Sequence, residues 1–262
     1  MAKQLKSLHH THVHHALAAA ALAALHIGAY AQTAPEAGKL EVVTVTAERR
    51  TENIRDVPSS VSSLSGEKLD VLNSSGQDVR FLSGRVPSLN IESSFGRAFP
   101  RFYIRGYGNT AFQLNASQPV SLIYDDVVQE NPILKGFPAF DLRAIEVLAG
   151  PQGTLFGRNT PAGVVKFDSV PPSKKQEGYF SIAAGSYGTI NAEGAFNLPL
   201  SGDWSARMSG QVQHRNDWVH NTRVGLTNDF EGYEDRAVRL QAAYNPGGTF
   251  SALFNVDRKS VV

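Results

Sequence analysis

The chain has 262 residues, enough for one large or two modest domains, and 42% of them are hydrophobic. Its 25 basic and 24 acidic side chains nearly cancel, which leaves no basic face for nucleic acid, and the absence of cysteine assigns stability to packing and strand pairing. Beyond the first thirty residues no apolar run approaches the roughly 20 residues of a membrane helix, so a helical span is excluded.

Lys3 and Lys6, the small-residue apolar run "ALAAAALAALHIGA" and the small residues Ala29 and Ala31 have the order of a secretory leader cleaved after Ala31. Its removal takes away His9, His10, His12, His14 and His15, a polar cluster that would otherwise suggest a metal, and leaves 23 basic against 24 acidic side chains. An exported chain without a membrane helix is either soluble outside the cytoplasm or a β-barrel. No metal and no cofactor is expected.

Residues 32–50 read as a flexible tail that ends in "EVVTVTAERR", a β-prone run of Val and Thr. Such a run is an edge strand, or an extended peptide able to add itself to another protein's sheet. From 51 to 176 the pattern is mixed. "SGEKLDVLNSS" predicts a short helix capped by Ser65 with Leu69 and Leu72 on one face, and "GQDVRFLSGRVP" a second helix stopped by Gly84 and Pro87. "SLNIES", "RFYIRG", "VSLIYDDVVQE" and "AIEVLAG" predict strands separated by long glycine- and proline-bearing connections.

The stretch "IEVLAGPQGTLFGRNTPAG" is glycine-rich after a strand, which raises the question of a phosphate loop. Gly150, Gly153, Gly157 and Gly163 fit neither the P-loop nor the dinucleotide spacing, because Gly150 meets Leu155 five positions on, Gly153 meets Arg158 and Gly157 meets Ala162. What remains is a backbone that turns often.

After residue 177 the period becomes two. Trp204, Ala206, Met208, Gly210 and Val212 alternate with Ser205, Arg207, Ser209, Gln211 and Gln213. The same alternation runs through Ile190 to Leu198, Val238 to Tyr244 and Phe250 to Val256, and a less regular strand near Gly178 to Ala184 makes five. A sandwich core produces this pattern as well as a barrel does. The connections favour the barrel: "PLSGD" and "NPGG" are tight turns on one side, whereas residues 214–234 form a long polar excursion on the other.

Six ordered segments carry a resemblance. "EVVTVTA" at 41–47, "DVPSSVSSLSGEKL" at 56–69, "VPSLNI" at 86–91, "FYIRGYG" at 102–108, "VSLIYDDV" at 120–127 and "DLRAIEVLAGPQGTLFGRNTPAGVVKF" at 141–167 resemble, in order, the opening portion of TonB-dependent outer-membrane receptors. The resemblance implies a signal peptide (1–31), a tail with a TonB box (32–50), an α+β plug domain with a small mixed sheet and short helices (51–176), and the first five or so strands of a transmembrane antiparallel β-barrel (177–262). That family's barrel has about 22 strands, far more than the 85 residues from Gly178 to Val262 provide, so the barrel is expected to be incomplete here, the chain to be an N-terminal fragment, and transport by it alone is not expected.

The resemblance also implies partners and sites. TonB, with its inner-membrane motor complex, would pair with Glu41, Val42, Val43, Thr44, Val45, Thr46 and Ala47. A small-molecule chelate or nutrient, most simply a ferric siderophore, would meet the outward plug loops at Arg97, Phe99, Arg101, Tyr107, Asn109, Phe112 and Gln113, with Ile133 to Phe137 as a further loop; each of these is equally what a solvated or wall-packing loop residue looks like. Arg105, Glu146 and Arg158 would lock plug to barrel, and Ala149 stands where many members carry Arg. Lipid of the outer membrane is the remaining partner, and nucleic acid is not one. The alternative is a plug-only periplasmic module or decoy that engages TonB or ligand. An enzyme is not expected, since His214 and His220 share one polar loop, Asp217 follows, and no nucleophile elbow or metal-protease motif accompanies them.

Overall fold

The computed structural model describes residues 42–46, 48–66, 68–69, 78–111, 113, 116–223, 225 and 229–261; the leader, Glu41, Ala47, Leu72 and Phe112 lie outside that set. The plug has a five-stranded sheet in the order β3 (Ser60–Ser65), β9 (Leu142–Ala149), β10 (Gly163–Ser169), β7 (Val120–Tyr124), β8 (Val127–Val128). Only β7 and β10 run parallel. Every residue of β10 and of β7 is buried, as expected for strands covered on both faces.

One face of this sheet carries Leu122, Ile145, Val147, Val165 and Phe167 and packs on Leu82, Phe102 and Ile104. Those partners come from the 3-10 helix Val79–Gly84 and from the small sheet of β4 (Leu89–Glu92), β5 (Arg101–Ile104) and β6 (Tyr107–Gly108). The second helix expected from the sequence is therefore a six-residue 3-10 helix, started by Asp78, whose side chain accepts the Arg80 N–H at 2.9 Å. Ser65 closes β3 instead of capping the first expected helix, of which Lys68 and Leu69 are described as helical.

The opposite face carries Ile123, Leu148 and Val164, and next to them the charged Glu146, Lys166 and Asp168. It is covered by residues 43–57. β1 (Thr44–Val45) pairs with β2 (Glu52–Asn53), and Val45, 1% exposed, sits on the apolar part with Val57. The segment expected to belong to a flexible tail thus lies against the plug.

The glycine-rich stretch is structural. Gly150 and Gly157 take φ of +109° and +76°, and a Cβ on Gly163 would fall 2.2 Å from the Leu148 carbonyl oxygen. Between them the four-residue helix α1 (Gly153–Phe156) tucks Phe156 under the N-terminal segment, and Gly150 and Gln152 close the loop by donating to Ala162 and Thr160 carbonyls.

The remaining strands form a second sheet, an antiparallel meander of β11 (Gly178–Gly185), β12 (Thr189–Pro199), β13 (Trp204–Arg215), β14 (Tyr233–Tyr244) and β15 (Ala252–Val261). Its polarity is inside out. Ser205, Arg207, Ser209, Gln211 and Gln213 are buried against the plug, whereas Phe180, Ile182, Met208, Leu240 and Val256 are exposed. A sandwich would bury the apolar face; here the polar face is the buried one. The connections follow the expected asymmetry except at Ser186 to Gly188, where a tight turn joins β11 to β12 on the long-loop side.

Candidate functional site

The functional geometry has two ends, set by the direction of the second sheet. Short turns after β12 and β14 mark one end, and the long β13–β14 connection the other; in outer-membrane barrels these are the periplasmic and external ends. Along β14, Gln241 near the inner end donates to Ser169 Oγ at 3.0 Å, while Asp235 near the outer end pairs with Arg97. The plug is thus held along the strand between them, which at ~3.3 Å per residue is about 20 Å.

At the inner end, the Thr46 backbone N–H donates to Glu146 Oε1 at 2.7 Å. Lys166 Nζ donates to Thr46 Oγ1 at 2.7 Å and to both oxygens of Asp168, at 2.6 and 2.7 Å. Burial pushes the Glu146 carboxyl above its ordinary range, and the Thr46 N–H and the Lys166 charge oppose that rise. Two buried carboxylates and one buried ammonium, with Arg143 3.5 Å from Asp168, hold the end of the N-terminal segment. Val42 is exposed, and Val43, through its carbonyl, accepts the Ile54 N–H at 2.9 Å.

Between plug and wall, Arg207 forks onto Asp141, Nε to Oδ2 at 2.8 Å and Nη2 to Oδ1 at 2.5 Å, and both side chains are almost fully buried. Glu193 accepts the Asp141 N–H at 2.9 Å and the Tyr179 hydroxyl. Arg239, fully buried, lies over the rings of Tyr124 and Phe140 and is paired with Asp257 at 2.9 Å. Asn255 donates to Asp125 Oδ2 at 3.0 Å, and the Asp125 carboxyl, raised by burial, also accepts from Ser169.

These contacts correct the expected lock. Among the described residues, Glu146 meets the N-terminal segment and not the wall, and exposed Arg158 pairs with Glu130 at 2.9 Å within the plug. Arg105 sits at φ +53° in the turn between β5 and β6, its N–H on the Ser88 carbonyl. Among the described residues the anchors include Asp141–Arg207, Arg97–Asp235 and Arg239 over Tyr124. Their signal in the sequence was the presence of Arg207 and Arg239 on the polar face of otherwise amphipathic strands.

The residues expected to meet ligand are dispersed in role. Arg97 donates to Gln213 Oε1 at 2.7 Å, is paired with Asp235 and lies 3.4 Å from the Tyr233 ring centre. Asn109 is buried and donates to Gln118, which also accepts from the buried Lys135. Arg101 bonds Ser94 at 2.8 Å and Glu92 at 3.3 Å, and Phe99 packs edge-on against Phe95. Tyr107 and Gln113 are exposed, as are Ile133 and Leu134. A cavity of about 530 Å³ opens at the outer end between the 78–81 and 96–97 segments of the plug and residues 215 and 230–233 of the wall.

The sequence profile named TonB-dependent Receptor Plug Domain matches residues 53–164, the segment that builds the sheet inside the inside-out wall. Residues 53–164 thus match the plug domain of TonB-dependent receptors. The chain is 28% identical over 113 residues to the pesticin receptor of Yersinia enterocolitica, covering 43% of this chain and 16% of that protein. It is 26% identical over 212 residues to the vitamin B12 transporter BtuB of Vibrio vulnificus, covering 78% of this chain and 32% of the relative. Among solved structures, the ferric yersiniabactin uptake receptor FyuA from Yersinia pestis matches with a TM-score of 0.68 and 21% identity over 77% of this chain and 31% of that one. The pyoverdine receptor FpvA of Pseudomonas aeruginosa matches at 0.61 and 16%, over 83% of this chain and 30% of its own. The chain therefore spans less than a third of the length of these relatives.

TonB-dependent receptors reside in the outer membrane, and so does this chain. Its exposed apolar face suits that location. Trp204, Tyr244, Phe250 and Phe254 cluster at the inner end, and Tyr187 with Trp218 at the outer. β13 joins the two, and 12 residues at ~3.3 Å, tilted by about 45°, rise roughly 25 Å, the height of an outer-membrane apolar band.

Proposed function

We propose that this chain is the N-terminal portion of a receptor for energy-coupled uptake of a scarce ligand, a ferric siderophore, and that residues 42–46 are the segment on which TonB pulls. The observation that carries the reading is the polarity of the plug: a docked Val/Thr segment at its inner end and a cavity shared with the wall at its outer end. An extended segment that already pairs by backbone with β2 has the geometry to pair instead with a strand of TonB, where affinity comes from main-chain hydrogen bonds.

The ligand class is supported by the names of the structural relatives, which refer to ferric yersiniabactin, pyoverdine and ferric catecholate. Further strands would complete the barrel. In the five-stranded sheet β11 and β15 each have one partner, and open strand edges are not tolerated in the hydrocarbon region. Transport would accordingly belong to the closed receptor and not to residues 1–262 alone.

Deleting residues 42–46 from the full-length receptor and measuring iron-59 accumulation from a panel of ferric siderophores tests the reading. The expected result is chelate binding at the cell surface with no accumulation. Accumulation equal to that of the intact receptor would overturn it.

A further inference from the structure

The apolar face of the second sheet ends on a basic row. Along β13 the outward side chains run from Trp204 to Val212 and give way to His214; along β14 they run from Tyr244 to Val238 and give way to Arg236. On the last strand they run from Phe250 to Val256 and give way to Arg258. In register, His214 stands opposite Glu234, Arg236 opposite Val212 and Ser260, and Arg258 opposite Val238, so the changeover steps back by two residues from each strand to the next. A level line across tilted strands makes such a step. With neighbours ~4.8 Å apart and a tilt of about 45°, constant height shifts by about one and a half residues per strand, and two is the nearest step that keeps the same face. The three basic groups therefore lie at one height, the outer margin of the apolar band, as diagonal neighbours roughly 7–8 Å apart.

One carboxylate shares the row: Glu234 is paired with Arg236, both of them well exposed, and an exposed pair contributes little. Asp235 and Asp257 face the plug side, on Arg97 and Arg239. In the loop beyond, Asp217 and Asp229 are turned onto the Gly232 N–H and His220, and Glu231 is exposed. Among the described residues Arg258 has no ion pair. Just inside the row the apolar face is hollow. Gly194 and Gly210 stand opposite each other on β12 and β13, flanked by Phe180 and Val238, and they floor an apolar groove of about 860 Å³ walled by Phe196 and Met208. The backbone does not require glycine at 210. A Cβ there would meet the Ala237 carbonyl oxygen at an ordinary 3.5 Å, and a glycine inside a strand weakens it. What this glycine supplies is the hollow.

We infer that this surface holds one phosphorylated lipid of the external leaflet, its phosphate on Arg236 and Arg258 and an acyl chain in the Gly194–Gly210 groove. Guanidinium groups present paired N–H donors that match phosphate oxygens, and the row stands where the hydrocarbon ends, which is the height of a lipid headgroup. The groove runs from the row into the apolar band, as a chain runs from its headgroup. A soluble phosphate would engage the row and leave the groove empty, and a purely apolar partner would leave the two arginines unanswered. The site depends on the sheet facing lipid and on neither the chelate nor TonB.

The test is native mass spectrometry of the full-length receptor in non-ionic detergent, titrated with bis-phosphorylated lipid A, with zwitterionic phosphatidylcholine and with inorganic phosphate. The double variant Arg236→Gln/Arg258→Gln, the groove-filling Gly210→Leu and, as a control in the exposed loop, Arg223→Gln are titrated alongside, each first shown to give the heat-modifiable band of a folded barrel. One lipid A is expected to be retained per receptor, about tenfold or more tighter than phosphatidylcholine and not displaced by inorganic phosphate. The arginine double variant should weaken lipid A about ten- to hundredfold, as loss of charge-assisted hydrogen bonds does. Gly210→Leu should weaken it with both charges intact, and Arg223→Gln should leave it unchanged. Equal retention of phosphatidylcholine, full affinity in either the arginine or the glycine variant, displacement by inorganic phosphate, or a receptor dimer that lipid A does not dissociate would overturn the assignment. Neither a chelate nor TonB takes part, so a failure here is separate from a failure of the uptake reading, which the 42–46 deletion measures.

Discussion

Thr46 and Glu146 are a hundred residues apart in the chain and 2.7 Å apart in the fold, joined by a backbone N–H donated to a buried carboxylate oxygen. The bond ties the segment that carries the Val/Thr run to the middle of the plug's central sheet. Its strength comes from charge, since hydrogen bonds to ionised groups contribute about 1.5–3 kcal/mol where neutral ones give about 1.

Replacing Glu146 by Ala should therefore free the N-terminal segment without unfolding the plug. The chain has no cysteine, so a spin label on Val42→Cys, an exposed position, reports on that segment alone. The label is expected to be immobilised in the parent and mobile in the Glu146→Ala background. Equal mobility in both would mean that Val45 and the β1–β2 pairing hold the segment unaided.

Asp141 and Arg207 should behave as a unit. Removing one partner leaves a buried charge without its counterion, at a cost of about 3–5 kcal/mol, whereas replacing both by apolar residues of similar size is close to neutral. Asp141→Ala and Arg207→Ala are each expected to lower the urea midpoint of plug unfolding strongly. The double variant Asp141→Leu/Arg207→Met should recover most of the loss. Additive losses in the double variant would show that the two side chains do not act through each other.

Lys135 gives the plug a pH dependence of defined sign. It is 1% exposed, donates to Gln118 and the Val120 carbonyl, and burial lowers its ammonium to about 8 from 10.5, a fall opposed by the charge of Glu130. Between these two values the unfolded chain binds the proton and the folded chain does not. Stability therefore rises with pH across that window, by up to ~3 kcal/mol, and Lys135 contributes no slope below it. Lys135→Met should abolish the rise between pH 8 and 10.5, read as urea midpoints of the receptor at half-unit intervals. An unchanged slope in the variant would assign the dependence to other groups.

The sequence made some of this legible and not the rest, for reasons that lie in particular residues. Alternation from Trp204 to Gln213 defined a strand and its two faces, because a period of two is written locally. β3 went unread because "SVSSLS" is four serines in six residues, and β10 because "GVVKF" follows directly on a run of turning glycines. The extended Val/Thr run was visible; its docking was not, since Val45 and Thr46 find their partners at Leu148, Glu146 and Lys166. Arg97 was read as a ligand contact because it lies in an outward loop, and its pairing with Asp235 spans 138 residues that no local pattern connects.

The exposed face of the wall supplies the last test. Met208 stands in the middle of β13 on the apolar side, 54% exposed, with Phe196 and Leu240 opposite it on the neighbouring strands. If that face meets lipid, an arginine there is placed near the bilayer midplane, where it costs about 2–4 kcal/mol, while the same change in a water-facing strand costs almost nothing. Met208→Arg in the full-length receptor is thus expected to shift the denaturant midpoint of folding into vesicles by that amount, and Arg236→Lys near the outer end of β14 to leave it unchanged. A silent Met208→Arg would place the apolar side of the sheet against water, and the inside-out burial of Arg207, Arg239 and Gln241 would then need a cause other than the membrane.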